Sequence, residues 1–274
     1  MKKIICLFLS FNLAFANLEN FNVGTWNLQG SSAATESKWS VSVRQLVSGA
    51  NPLDILMIQE AGTLPRTATP TGRHVQQGGT PIDEYEWNLG TLSRPDRVFI
   101  YYSRVDVGAN RVNLAIVSRM QAEEVIVLPP PTTVSRPIIG IRNGNDAFFN
   151  IHALANGGTD VGAIITAVDA HFANMPQVNW MIAGDFNRDP STITSTVDRE
   201  LANRIRVVFP TSATQASGGT LDYAITGNSN RQQTYTPPLL AAILMLASLR
   251  SHIVSDHFPV NFRKFCKGYF KKNM

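Results

Sequence analysis

Cysteine is nearly absent: the 274-residue chain has two, Cys6 and Cys266. Cys6 falls in an N-terminal stretch built like an export signal, so the exported chain would keep one cysteine and no internal disulfide. Neither clustered cysteines nor HExxH argues for zinc. No GxxxxGK[ST] loop points to a nucleotide-driven machine, and no GxSxG elbow points to an esterase. No apolar run reaches the roughly 20 residues that span a bilayer as a helix. Repeats with a period of roughly 20 to 50 residues are missing. No Ser- or Gly-rich linker divides the chain, and the triple proline at 129–131 reads as a stiff loop between two strands.

Excess charge is missing as well. The chain has 24 basic and 20 acidic residues. Without Lys2 and Lys3 of the signal, 22 basic residues remain. Arg263, Lys264, Lys267, Lys271 and Lys272 all fall in the last twelve residues, so the body 17–262 carries 17 basic against 20 acidic, a net −3. Overall charge therefore cannot hold an anionic partner on the body, and local arginines or a metal would have to. The basic tail 266–274 reads as a solvated terminus or as a touch point for nucleic acid or membrane.

At 44% hydrophobic, the chain can bury a large core. The first sixteen residues, MKKIICLFLSFNLAFA, combine two lysines, a short apolar run and Ala-Phe-Ala as a cleavage site. They are set aside as a secretion signal peptide, which leaves one domain over 17–265. Apolar, β-branched runs predict strands at 21–28, 54–60, 97–103, 113–118, 123–129, 138–143, 147–154, 179–186, 205–210, 221–226 and 257–262. Helical spacing predicts a helix over 37–49 and another over 160–173, capped by Asp160. The stretch 237–249 is apolar all round and reads as buried, helix or strand. Many strands with few helices suggest an α/β (α+β) fold of two packed sheets with helices outside.

Polar residues recur at the ends of apolar strands: Asn27, Glu60, His152, Asp185, Asn187 and, after a fifth run, Asp256 with His257. Each has an ordinary reading. Asn27 suits a turn, Glu60 a solvated charge, His152 a satisfied core histidine and Asp256 a cap. Together they form the inventory that phosphate-ester hydrolysis needs, because active sites gather outside the carboxyl ends of strands. A hard divalent cation held by carboxylate oxygens would neutralise phosphoryl oxygens and help the leaving oxygen, while an aspartate or histidine activates water. Asp222 reads as a strand-start charge, or as the carboxylate that holds the His257 ring in one tautomer. Gly184 would let the backbone pass close to a phosphate, and Asp185 and Asn187 can both reach one reaction centre if Phe186 turns away into the core. Arg188 and Asp189 read as a turn-supporting salt bridge.

TWNLQG (25–30), MIQEAG (57–62), NIHALANGG (150–158), GDFNRDP (184–190), TLDYAI (220–225) and SDHFPV (255–260) stand in the order found in the endonuclease/exonuclease/phosphatase superfamily, which the chain resembles. Segments 104–119, 129–153 and 185–225 are similar to the family of cytolethal distending toxin B subunits. The resemblance implies a deoxyribonuclease I-like four-layer sandwich of two mostly antiparallel sheets. It implies a magnesium-dependent deoxyribonuclease, with calcium or manganese as alternative ions. Glu60 would be the principal metal ligand, with Asn27 and Asp256 near it. His152 and His257, the latter steered by Asp222, would flank the scissile phosphate. Asp185 would orient or deprotonate water, and Asn187 would bond a phosphate oxygen. Arg136, and more weakly Arg111, would contact DNA; Arg188 could join them in a groove. No acidic partner for His152 can be identified, and which histidine is base and which acid stays open.

The same resemblance implies a secreted genotoxin subunit that damages host DNA and arrests the cell cycle, with the host nucleus as its destination. Two ricin-like lectin subunits would complete a 1:1:1 heterotrimer. A phosphoinositide phosphatase acting on phosphatidylinositol trisphosphate is the alternative, and a catalytically dead binding subunit the third reading. The dispersed arginines favour the nuclease.

Overall fold

The structure, a computed structural model, describes residues 17–31, 35–105, 111–175, 177–231, 234–245 and 255–265. The signal at 1–16 and the tail at 266–274, with both cysteines, lie outside the described residues. In chain order the strands are β1 (Val23–Asn27), β2 (Ile55–Gln59), β3 (Ala68–Gln77), β4 (Thr80–Asn88), β5 (Arg97–Ser103), β6 (Leu114–Ser118) and β7 (Glu124–Leu128). They continue with β8 (Ile138–Asn143), β9 (Asp146–His152), β10 (Asn179–Asp185), β11 (Ile205–Val208), β12 (Asp222–Asn228), β13 (Leu240–Leu244) and β14 (Val260–Lys264). One sheet runs β13-β14-β1-β2-β6-β5-β4-β3, the other β11-β12-β10-β9-β8-β7. Among the described residues, only the β1–β2 and β9–β10 pairs are parallel.

Strand alternation sends successive side chains to opposite faces and so builds three apolar layers. On β10, Met181 and Ala183 enter the core between the sheets, while Trp180 and Ile182 face the helix Val161–His171. On β2, Ile55 and Met57 enter the same central core, while Leu56 and Ile58 face the helical stretch 35–48. The order helix, sheet, sheet, helix is the expected four-layer sandwich.

Four features depart from expectation. The helix at 35–48 is three pieces, Thr35–Ser37, a π turn at Lys38–Val43, and Arg44–Ser48, ended by Gly49. The apolar stretch from 237 holds β13, an edge strand; Leu239 just before it and Ile243 within it are exposed, so the stretch is not buried all round. Residues 246–249 of it lie outside the described residues. Asp160 stands at the helix N-cap position without a capping bond, because its Oδ1 instead takes the Leu154 N–H at 3.0 Å. The β3–β4 hairpin was not foreseen; β3 is largely exposed and shows no apolar alternation. Its turn residues Gly78 and Gly79 have φ of 57° and 81°, the conformation a two-residue hairpin needs, and this glycine pair was the available signal.

Candidate active site

The parallel pairs β1–β2 and β9–β10 all point their carboxyl ends toward one end of the sandwich, where antiparallel β12 and β14 begin. Register places Asp185 level with His152 on one side and Asp222 on the other. All three have the inward parity of Phe148, Ala183 and Ala224, so they project between the sheets. From the facing sheet come Asn27 at the end of β1 and Glu60 just after β2. Glu60 and Asn187 both adopt positive φ, 48° and 49°. Non-glycine residues held there concentrate at functional sites, where the surroundings enforce a costly backbone.

The sandwich closes these groups on one another. Asn27 Nδ2 donates to Glu60 Oε1 at 3.3 Å and to Asp185 Oδ2 at 3.1 Å, so one carboxamide bridges two carboxylates from different sheets. His152 Nε2 lies 3.7 Å from Asp185 Oδ2 and 3.9 Å from Glu60 Oε1. His257 Nε2 lies 3.7 Å from the same Asp185 oxygen, and its Nδ1 donates to Asp222 Oδ2 at 2.8 Å. The His257 backbone is fixed by the Trp26 indole, whose N–H reaches its carbonyl at 3.0 Å. Phe186 is fully buried and stacks on Tyr223 at 4.2 Å, turning away as its neighbours require. The Asn187 N–H donates to Asp185 Oδ1 at 2.9 Å, and its Nδ2 donates to Ala153 O at 3.0 Å.

The two histidines differ in protonation, one neutral and one cationic. Burial, with Arg136 and His257 nearby, holds His152 down to about 3, so its ring stays neutral. Burial also opposes charge on His257, but the Asp222 bond and the surrounding carboxylates outweigh it and push His257 up to about 9. Burial and the Asp222 charge raise Asp185 to about 6. Burial likewise raises Glu60, against the Asn27 bond and helped by Asp185. His152 Nδ1 has no hydrogen-bond partner among the described residues, so no acidic partner for it emerges.

Asp185, Asp222 and His257 bring possible ligand atoms within 4.8 Å of one another, all buried, so the site can hold a metal ion of unspecified kind. Asp222 Oδ2 is engaged by His257 while its Oδ1 has no hydrogen-bond partner among the described residues, and Glu60 and Asp185 face one another across the Asn27 amide. A cation fits there, because it would relieve a buried and a half-buried carboxylate that share one amide. In this arrangement Asn27 turns its amide nitrogen, not its oxygen, toward the carboxylates; its Oδ1 accepts from Gln29 N at 3.2 Å. Asp256 is half-exposed and meets His257 Nε2 at 3.8 Å.

Arg136 is half-buried, and its Nη1 donates to the carbonyls of His152 and Ala153 at 2.9 and 2.7 Å. Arg111 is exposed, two residues before Asn113, whose carbonyl accepts from Ala61 N at 2.8 Å beside Glu60. Arg188 and Asp189 make no salt bridge with each other. Arg188 donates to Thr192 Oγ1 at 2.9 Å and Gly157 O at 3.2 Å, while Asp189 caps the turn Pro190–Thr196 through Ser191 N at 2.8 Å. A Cβ on Gly184 would sit 2.1 Å from Ile151 O, so the close approach it permits is to β9.

Sequence reasoning missed two supports. Buried Lys38 donates from Nζ to Leu28 O and Gln29 O at 2.8 and 2.7 Å, fixing the chain that leaves Asn27. Buried Thr214 accepts the N–H groups of Leu221 and Asp222 at 2.8 and 3.0 Å, and its carbonyl takes Phe258 N at 2.7 Å. It thereby ties the two halves of the Asp222–His257 pair. Neither residue carries a local pattern that announces this.

Residues 24–257 match the endonuclease/exonuclease/phosphatase family model. The chain is similar to a homolog of the cytolethal distending toxin B subunit from Salmonella typhi, 51% identical, with 94% of each chain covered. It is 47% identical to the B subunit of the cytolethal distending toxin of Escherichia coli, over 95% of this chain and 98% of that one. Among solved structures it is similar to a chain of the Haemophilus ducreyi cytolethal distending toxin, with a TM-score of 0.85 and 50% identity, over 91% of this chain and 100% of that one.

Proposed function

The chain belongs to the endonuclease/exonuclease/phosphatase family, within the branch of cytolethal distending toxin B subunits, and we propose that it is the catalytic, DNA-cutting subunit of such a toxin. One observation carries the chemistry: the Nε2 atoms of a neutral and a cationic histidine each lie 3.7 Å from a single buried aspartate oxygen. A phosphoryl group entering between them meets a neutral imidazole, a cationic imidazole and a carboxylate that can turn a water for attack.

His257, kept cationic by Asp222, supplies positive charge to a phosphoryl oxygen and a proton to the departing oxygen. His152, kept neutral, accepts a hydrogen bond or a proton, and Asp185 orients the water. Arg136, fixed to the backbone beyond His152 and free at Nη2, grips an adjacent phosphate, with Arg111 further along the groove. Asn187 offers its remaining amide hydrogen to a phosphate oxygen. Glu60 would hold magnesium, with Asp256 near and Asn27 steadying the carboxylates; bound there, the ion would neutralise phosphoryl charge and lower the basicity of the leaving oxygen.

The leader 1–16 would be removed on export, leaving one catalytic domain over 17–265 with a basic tail. Two ricin-like lectin subunits would carry it to the host cell, where nuclear DNA is its target. The test is supercoiled-plasmid nicking in magnesium, run beside phosphate release from phosphatidylinositol trisphosphate, with EDTA as control. Nicking by the wild-type chain should fall by on the order of a thousandfold in His152→Ala and in Asp185→Asn, with the thermal transition preserved. Full nicking by His152→Ala would overturn the assignment, and phosphate release without nicking would make the lipid the substrate.

A further inference from the structure

The two halves of the site belong to different sheets, and apolar side chains alone give such sheets no fixed offset. Below the site, however, the central core is interrupted by three polar side chains, Thr25, Gln59 and Asn150, all with no solvent exposure. Gln59 Nε2 donates across the sheet interface to Asn150 Oδ1 at 2.6 Å and, within its own sheet, to Thr25 Oγ1 at 3.1 Å. Asn150 Nδ2 donates back to Ile58 O and Ala115 O, each at 2.8 Å. Ile58 and Ala115 form the last register pair of β2 with β6, so the amide of Asn150 closes that ladder where the chain departs toward Glu60.

Each member stands one or two residues before a site residue: Thr25 before Asn27, Gln59 before Glu60, Asn150 before His152. Alternation gives Asn150 the parity of His152, and Gln59 the parity of Met57, so both amides point into the gap between sheets. We propose that this Thr25–Gln59–Asn150 bridge is a positioning device, setting the offset at which Glu60 of one sheet meets His152 and Asp185 of the other. It rests on the hydrolytic reading of the site above it.

Two physical arguments support the assignment. Both amide hydrogens and the carbonyl oxygen of Asn150 are engaged, and a fully satisfied buried network holds one geometry where an apolar layer tolerates several. The contacts above it, 3.9 Å from Glu60 to His152 and 3.1 Å from Asn27 to Asp185, cross the same interface and have no covalent route shorter than the strands themselves. A shift of about 1 Å there would separate the reacting groups, and misplacement of that size costs about a hundredfold in rate.

The experiment compares Asn150→Leu, which keeps the branched shape and removes the amide, with Gln59→Met and with Phe148→Leu, a control in the same central core. Turnover and KM are measured on a short DNA duplex in magnesium, with the melting temperature of each protein. Asn150→Leu and Gln59→Met should each lower kcat about 10- to 100-fold with KM within about twofold, and the double variant should be no worse than the poorer single one. Phe148→Leu should lose melting temperature while retaining kcat. Folded Asn150→Leu with kcat within about threefold of wild type overturns the proposal, as does a kcat loss in Phe148→Leu that matches the others. If Asn150→Leu does not fold, Thr25→Val decides: a lowered kcat supports the device, and an unchanged one overturns it. A wild-type chain inactive on both plasmid and a simple phosphodiester would end the hydrolytic reading alone. The device would then be read from a crystal structure of Gln59→Met, in which the Glu60–His152 separation must widen.

Discussion

At the residue scale, the differing protonation of His152, neutral, and His257, cationic, gives the site a pH signature. Asp185, with its carboxyl near about 6, must be ionised to turn a water, so activity should fall below that value. His257, near about 9, must be protonated to donate, so activity should fall above it. Asp222→Asn removes the carboxylate that sustains the charge, and the alkaline limb of the pH–rate profile should move down toward the ordinary histidine value of about 6.5. An unmoved limb would remove His257 from the role of acid. Stability follows the same signs. The raised His257 favours the fold fully below about 6.5 and loses that contribution as pH rises through about 9. The depressed His152 contributes above about 6.5 and loses its contribution as pH falls toward about 3. Metal dependence should separate Glu60 from Asn27. Asn27→Ala, which removes only the amide bridging two carboxylates, should cost about 10- to 100-fold in magnesium affinity, read from the metal dependence of nicking. Glu60→Gln should cost more, and equal losses would mean that the ion is shared differently. Asp222 was legible from sequence only as an option, because its partner lies 35 residues away and the pairing needs the fold.

At the scale of elements, the strands that carry the site were legible because they are apolar on both faces, and runs such as ILMIQ or NWMIAGD advertise that burial. β3 was not legible, since an exposed strand has no apolar face to display. The helix at 35–48 was legible through Val43, Leu46 and Val47, but its π turn was not; Lys38 sits there because its ammonium finds two backbone carbonyls inside the fold. Gly184 has a second reason to be glycine, one that sequence order did not offer. Sequence order placed it beside the phosphate, whereas the neighbouring parallel strand forbids a side chain there. Gly184→Ala should therefore destabilise the fold by about 1–3 kcal/mol through overpacking against Ile151, measured by urea denaturation. Normal stability with lost activity would restore the phosphate reading.

At the scale of the whole molecule, the body's net −3 sets how DNA must be held. β14 starts at the site end and runs away from it, so Arg263 and Lys264 stand at the far end of the sandwich, where Lys264 faces Glu19 at 3.4 Å. The basic C-terminal segment thus begins remote from the cleft, and grip at the reacting phosphate falls to a few fixed arginines. Arg136 is the best placed, since its anchoring to the His152 and Ala153 carbonyls removes the side-chain freedom that a surface arginine would lose on binding. Binding of a short duplex to the inactive His152→Ala chain should weaken with salt. Adding Arg136→Ala should reduce the slope of log affinity against log salt by about one, as for a lost phosphate contact. Arg111→Ala should have a smaller effect, because that side chain is exposed and must be ordered by the substrate. If instead the slope follows the tail, so that neutralising Lys267, Lys271 and Lys272 lowers it while Arg136→Ala does not, DNA is held mainly outside the cleft. The charge imbalance would then matter more than the strand-end geometry.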